Sequence, residues 1–167
     1  MSTPSTYDII VIGAGPAGQK AAVQGAKAGK RVALIERERG IGGSCVYSGT
    51  IPSKTLRESA LQLDRLKRAG EAFQFNLKPG TQIATLMSRL EQVVQAHDSF
   101  MSRQLRRNGI SLLHGRAHFV NEHLIEMQTV DGARQQLTAK TIVVATGSRP
   151  RNPKEIPVDH EHILDSD

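Results

Sequence analysis

Two stretches of this chain carry residue types whose order could do chemistry. Gly13-Ala14-Gly15-Pro16-Ala17-Gly18 spaces its glycines as G-x-G-x-x-G. Gly42-Gly43-Ser44-Cys45-Val46-Tyr47-Ser48-Gly49-Thr50-Ile51-Pro52-Ser53-Lys54 joins paired glycines, a thiol and a lysine in one run. Glycines at the first spacing serve a backbone that must approach a pyrophosphate. Gly13 allows a tight turn, Gly15 clears the approach, and Gly18 lets the next helix lie close to the preceding strand. Pro16 and Ala17 then open a helix whose free N–H groups and positive dipole end favour phosphate. Glu36 follows about 20 residues on, where an acid accepts hydrogen bonds from ribose hydroxyls. The set reads as a dinucleotide site. An acid at 36 favours a free 2′-hydroxyl, as in NAD or the adenosine half of FAD, although Arg37 and Arg39 blunt that preference; geometry alone does not separate the two.

The elements around these residues position them. Asp8-Ile9-Ile10-Val11-Ile12 is a β-branched run expected as a strand buried on both faces of a parallel sheet. Residues Pro16 to Ala28 read as an alanine-rich helix ended by Gly29. Arg31 to Ile35 is the second strand and delivers Glu36. Ser53 to Ala69 and Ile83 to Leu105 repeat apolar residues at helical spacing, the second as a long amphipathic helix packing on the sheet; Lys78-Pro79-Gly80 marks a loop between them. Gly109 ends the second helix. Ile110 to Leu113 is expected as a third parallel strand, and a small antiparallel meander spans Ala117 to Leu137, with a hairpin signal at Asp131-Gly132. Thr141 to Ala145 is the last parallel strand.

The second stretch resembles the active-site segment of the pyridine nucleotide–disulfide oxidoreductases, the flavoproteins that include lipoamide dehydrogenase, glutathione reductase and mercuric reductase. Their pattern is G-G-x-C-x-x-x-x-C-I-P-S-K. The resemblance implies an α/β Rossmann-like FAD/NAD(P)-binding domain, a parallel sheet with helices on one side and an antiparallel β-meander on the other. It implies non-covalent FAD, with Gly42, Gly43, Ser44, Cys45 and Gly49 beside the pyrophosphate and flavin. Lys54 falls near the flavin N5 edge, where a fixed cation stabilises the negative charge of a reduced flavin. The backbone of Gly115-Arg116-Ala117 falls at the adenine, Arg37 beside Glu36, and Ala145-Thr146-Gly147 at a second FAD contact.

One position departs from the pattern. Thr50 stands where the family has its flavin-proximal cysteine, and Cys45 is the only cysteine of the 167 residues. Disulfide exchange needs a dithiol pair, so reduction of a disulfide substrate is excluded. Cys45 is then either a small buried apolar residue or a reactive thiol. The Gly49-Thr50-Ile51-Pro52-Ser53-Lys54 form is similar to the soluble pyridine nucleotide transhydrogenases, in which flavin shuttles hydride between NADPH and NAD⁺. The Ile35-Glu36-Arg37 strand end and the closing Asp165-Ser166-Asp167 also look like that branch.

Composition fits one α/β domain. Apolar residues make up 38% of the chain, enough for a core at this length. No run approaches a membrane span, and Met1 to Thr6 is too short and polar for a signal peptide; a cytoplasmic protein is expected. The net charge is +6. The basic clusters Arg65-Leu66-Lys67-Arg68 and Arg103 to Arg107 lie on polar helix faces, and aromatics at 4% with no Trp give no stacking platform, so no nucleic-acid partner is expected. His160-Glu161-His162 and His118 with His123 do not form a metal-ligand pattern.

No second glycine fingerprint follows Gly18. Relatives continue with an NAD(P) domain, a segment that completes the FAD sheet, and a dimerisation domain. The expectation is therefore an FAD-binding domain at 1–150 and a linker at 151–167. It would be part of an enzyme that takes NADPH and NAD⁺ and forms a homodimer or larger oligomer when complete, and would be inactive alone. The alternatives are a stand-alone FAD-binding module, or part of a dihydrolipoamide-dehydrogenase-like flavoprotein lacking the redox disulfide.

Overall fold

The computed structural model describes residues 4–73 and 81–165. The expected loop at Lys78-Pro79-Gly80, residues 1–3 of the N-terminus, and the closing Ser166-Asp167 lie outside them. The elements run β1 (Ser5–Ile12), α1 (Pro16–Lys27), β2 (Val32–Glu36), α2 (Ser44–Tyr47), α3 (Thr50–Phe73), α4 (Thr81–Arg107), β3 (Ser111–Phe119), β4 (Leu124–Thr129) and β5 (Arg134–Val144).

β1 lies between β2 and β5 and is parallel to both, with Ile10 opposite Ala33 on one side and Ile142 on the other. β2 pairs in parallel with the first half of β3, Glu36 opposite His114. The second half of β3 turns to β4 and pairs antiparallel, as β4 does with β5. The ring β1-β2-β3-β4-β5 closes into a barrel.

This corrects the expected separation of a parallel sheet from a meander on its far side. The expected third parallel strand at 110–113 and the start of the expected meander at 117 belong largely to the single strand β3. Residues 134–144 likewise run as one strand, β5, which serves both halves. The reason is Gly115. A β-carbon there would stand 2.5 Å from the Gln128 carbonyl oxygen and 2.9 Å from Met127 Cγ. Glycine removes that clash, so the strand passes from one partner to the other without a break. The Asp131-Gly132 hairpin forms where expected, with Gly132 at φ 87 and Thr129 N–H donating to Ala133 O at 2.9 Å.

Side-chain alternation divides the apolar residues into two cores. Val11, Val32 and Leu34 point outward to Ala22 and Val23 of α1 and Leu105 of α4. Ile10, Ala33, Ile35, Ile125, Met127, Leu137 and Ala139 point into the ring and fill it. The helix α3 starts at Thr50, ahead of the expected Ser53. Pro52 is tolerated in a first turn, where its missing N–H has no acceptor to lose, and Ser53 N–H donates to Gly49 O at 3.2 Å. The amphipathic α4 packs on the outer core through its end, at Met101 and Leu105. Its earlier length lies against α3, and Ile83, Met87 and Phe100 remain exposed. Packing along the whole helix was expected from periodicity, which does not distinguish a sheet from a partner helix.

Replacing Gly115 by Ala should destabilise the protein by about 1–3 kcal/mol, the usual cost of forcing atoms into a packed site. Thermal and urea unfolding measure this; an unchanged midpoint would show that β3 does not pass so close to β4.

Candidate functional site

Three turns leave the sheet together, because β1, β2 and β5 are parallel neighbours ending at Ile12, Glu36 and Val144. Ala14 joins the turn after β1 to the end of β2 and the turn that follows it. Its N–H donates to Glu36 Oε2 at 2.7 Å, and its carbonyl accepts from Gln19 Nε2 at 2.7 Å and Gly42 N–H at 2.9 Å. Gly13 N–H donates to Ile35 O, and Ala145 N–H to Ile12 O, each at 2.8 Å.

Contact distances set the residue types of the first turn. Gly13 has φ 103, a left-handed backbone that side chains rarely tolerate, and a β-carbon there would overlap the Ala145 carbonyl. At Gly18 a β-carbon would collide with the carbonyl of Gly13. At Gly15 nothing lies within 4 Å of that position. Gly15 is also the N-cap of α1, with no side-chain cap, Pro16 following, and no acid in the first turn. The helix start therefore presents unsatisfied N–H donors and a positive dipole end to open space.

The turn from Gly40 to Tyr47 comes up against this opening. A β-carbon on Gly43 would be 3.1 Å from Gly15 Cα, so the two glycine backbones nearly touch. Ile41 and Val46 are buried beneath the turn. Asp98 Oδ1 on α4 accepts from Ile41 N–H at 2.9 Å and from the Tyr47 hydroxyl at 3.2 Å. Burial, followed by the negative charges of Asp98 and Glu36, raises the Tyr47 phenol above its ordinary range. Ser44 and Cys45 open the short α2. Cys45 is partly buried, Ser44 exposed, and Gly49 N–H closes the turn onto Ser44 O at 2.6 Å. Thr50 and Lys54 are exposed in the first turns of α3.

Glu36 is buried, 7% exposed, and its second oxygen accepts from Glu38 N–H at 3.0 Å. Two backbone donors thus hold a carboxylate that the sequence assigns to a ribose. A carboxylate offers about four acceptor positions, so both tasks fit one group. Arg37 is exposed and its Nε pairs with Glu38 at 3.1 Å. Ala117 lies on β3 beyond the reach of β2, whose last pairing is Glu36 with His114; among the described residues no strand pairs with that edge of 115–119. Thr146 and Gly147 are exposed, Gly147 at φ 75, while Ala145 is partly buried against the outer core.

The structure thus brings Gly13 to Ala17, Glu36, Gly42 to Cys45 and Ala145 to Gly147 to one end of the ring. Sequence reasoning missed Gln19 and Asp98. Gln19 is 3% exposed inside an alanine-rich helix, a polar residue where the pattern wants an apolar one, and that mismatch is a readable signal. Asp98 lies far along the chain and carries no local signal.

The family described as pyridine nucleotide-disulphide oxidoreductase matches residues 7–166. The chain belongs to the pyridine nucleotide-disulphide oxidoreductase family. It is 43% identical over 165 residues to the soluble pyridine nucleotide transhydrogenase of Mycobacterium tuberculosis (strain ATCC 25177 / H37Ra), covering 96% of this chain and 35% of the relative. The transhydrogenase of Colwellia psychrerythraea is 40% identical over 164 residues (96% and 34%), and that of Azotobacter vinelandii 38% over 161 residues (96% and 35%). The chain spans about a third of the length of the curated relatives it matches. Among solved structures, the Cu(II) complex of the HOCl-induced flavoprotein disulfide reductase RclA from Escherichia coli superposes with TM-score 0.73 at 28% identity, over 90% of this chain and 30% of that one. Membership in this oxidoreductase family and that likeness establish the α/β Rossmann-like class. No helix among the described residues is long and apolar enough to cross a membrane.

Glu36→Gln should lower stability by about 1–3 kcal/mol even without any ligand, because an amide offers one acceptor atom to two backbone donors and leaves one unpaired. Urea unfolding of the variant measures it, and equal stability would show that the carboxylate does not hold the turn.

Proposed function

We propose that this chain is the FAD-binding portion of a soluble pyridine nucleotide transhydrogenase, in which hydride passes between NADPH and NAD⁺ by way of flavin. The observation that carries the reading is the open, uncapped start of α1 at Gly15, backed by the Gly43 turn. Space for a pyrophosphate and donors for its charge coincide there.

The residues present fit FAD. Gly13, Gly15, Pro16 and Ala17 with Gly42, Gly43 and Ser44 would hold the pyrophosphate; Glu36 and Arg37 would hold the adenosine ribose, and the free strand edge at Ala117 the adenine. Cys45, Gly49 and Lys54 would flank the flavin, with Ala145, Thr146 and Gly147 as the contact from the last strand. FAD, when bound, supplies a two-electron carrier able to accept hydride from one nicotinamide and give it to another. These turns would exclude water from one side of a bound cofactor, and the Lys54 ammonium would provide positive charge where negative charge develops.

Thr50 favours the transhydrogenase branch over a disulfide reductase. With Thr50 at the start of α3 and Cys45 as the lone thiol, no dithiol can take electrons from the flavin. We assign residues 1–150 to the FAD domain and 151–167 to a linker, in a cytoplasmic enzyme that is a homodimer or larger when complete.

Protein loaded with FAD and passed through gel filtration should keep a flavin band in the visible blue. Gly15→Val should lose it, because the side chain would occupy the space that the phosphates need. Equal flavin retention by the variant would place the site elsewhere.

A further inference from the structure

We propose that Asp98, which lies on α4 outside the cradle, is the positioning residue that fixes the Gly40–Tyr47 turn in its cofactor-receiving form. One carboxylate oxygen takes a donor from each end of the turn, the Ile41 N–H at 2.9 Å and the Tyr47 hydroxyl at 3.2 Å. These two bonds bracket Gly42 to Val46, the segment that carries Gly43 up against Gly15. Ile41 is 1% exposed, so its amide has little access to water if Asp98 is removed. The Tyr47 hydroxyl packs where a side chain on residue 40 would collide with it, so Gly40 lets the phenol reach Asp98. A phenol is protonated at neutral pH, and partial burial with the neighbouring carboxylates shifts Tyr47 further toward that form, so its hydroxyl is a donor to Asp98.

The other side of the turn is tied to the fingerprint by Gly42 N–H on Ala14 O at 2.9 Å. The turn is therefore held between the Ala14 peptide and α4, and α4 is held by Met101 and Leu105 in the outer core. A displaced Asp98 would let Gly43 drift from Gly15, and the phosphate donors of the two turns would no longer converge.

The inference rests on the FAD reading, and its test separates the two. FAD affinity is measured by flavin fluorescence for the wild type, Asp98→Ala, Asp98→Asn, Tyr47→Phe and Gly15→Val, with amide hydrogen exchange on the FAD-free proteins. Asp98→Ala should weaken FAD by about 10- to 100-fold, the effect of stranding a buried donor. Asp98→Asn, which keeps an acceptor oxygen, should stay within about threefold of wild type, and Tyr47→Phe should fall between them. Exchange should quicken in Asp98→Ala at residues 41–47 and stay unchanged in β1, β2 and β5. Wild-type affinity in Asp98→Ala, with binding lost in Gly15→Val, overturns the positioning role and leaves the FAD site standing. Faster exchange throughout the barrel in both Asp98→Ala and Tyr47→Phe overturns it in favour of a general structural role. A wild-type protein that binds no FAD overturns both readings.

Discussion

The hydrogen bond from the Ala14 N–H to the buried Glu36 carboxylate, 2.7 Å long, is the constraint on which the site depends. A buried carboxylate without partners is costly, and a turn that leaves an amide unpaired in the interior is costly too. Here each satisfies the other. The bond also fixes the end of β2 against the turn after β1, one residue ahead of Gly15. The Ala14 carbonyl extends the arrangement to α1 through Gln19 and to the second glycine turn through Gly42. The two backbone groups of one residue thus tie the turn after β1 to the end of β2, to α1 and to the second glycine turn.

Close approach then does the rest. Because Gly13 and Gly18 carry no side chain, α1 begins directly over the end of β1 and beside Ala145. The helix start is left without an internal cap, so its donors await an external acceptor. The ring of strands supplies rigidity below this opening: its interior is filled by side chains from all five strands, and its outer face is covered by α1 and the end of α4. Rigid elements carrying short turns hold donors more accurately than long loops would.

Much of this was legible in the sequence, for physical reasons. The β-branched run before Gly13, the glycine spacing and Glu36 all report on contacts within a short stretch of chain, and β1, α1 and β2 form close to where those signals lie. The hairpin at Asp131-Gly132 is likewise a local matter of backbone geometry. The barrel was not legible. Nothing near Gly115 in the sequence refers to Gln128, and only the position of the Gln128 carbonyl across the sheet makes that glycine a crossing point. The packing of α4 against α3 was hidden because an apolar stripe does not name its partner. Asp98 was missed for the same reason: its two donors lie at residues 41 and 47, and nothing near position 98 refers to them.

The most direct test of the central claim, that the turns after β1, β2 and β5 form one receiving surface, is a backbone amide NMR titration of the protein with FAD. The account predicts that Gly15, Ala17, Gly43, Ser44, Thr146 and Gly147 shift together along a single binding curve. Shifts confined to the opposite end of the ring, at Thr6, Arg31 and Lys140, or no shifts at all, would contradict it.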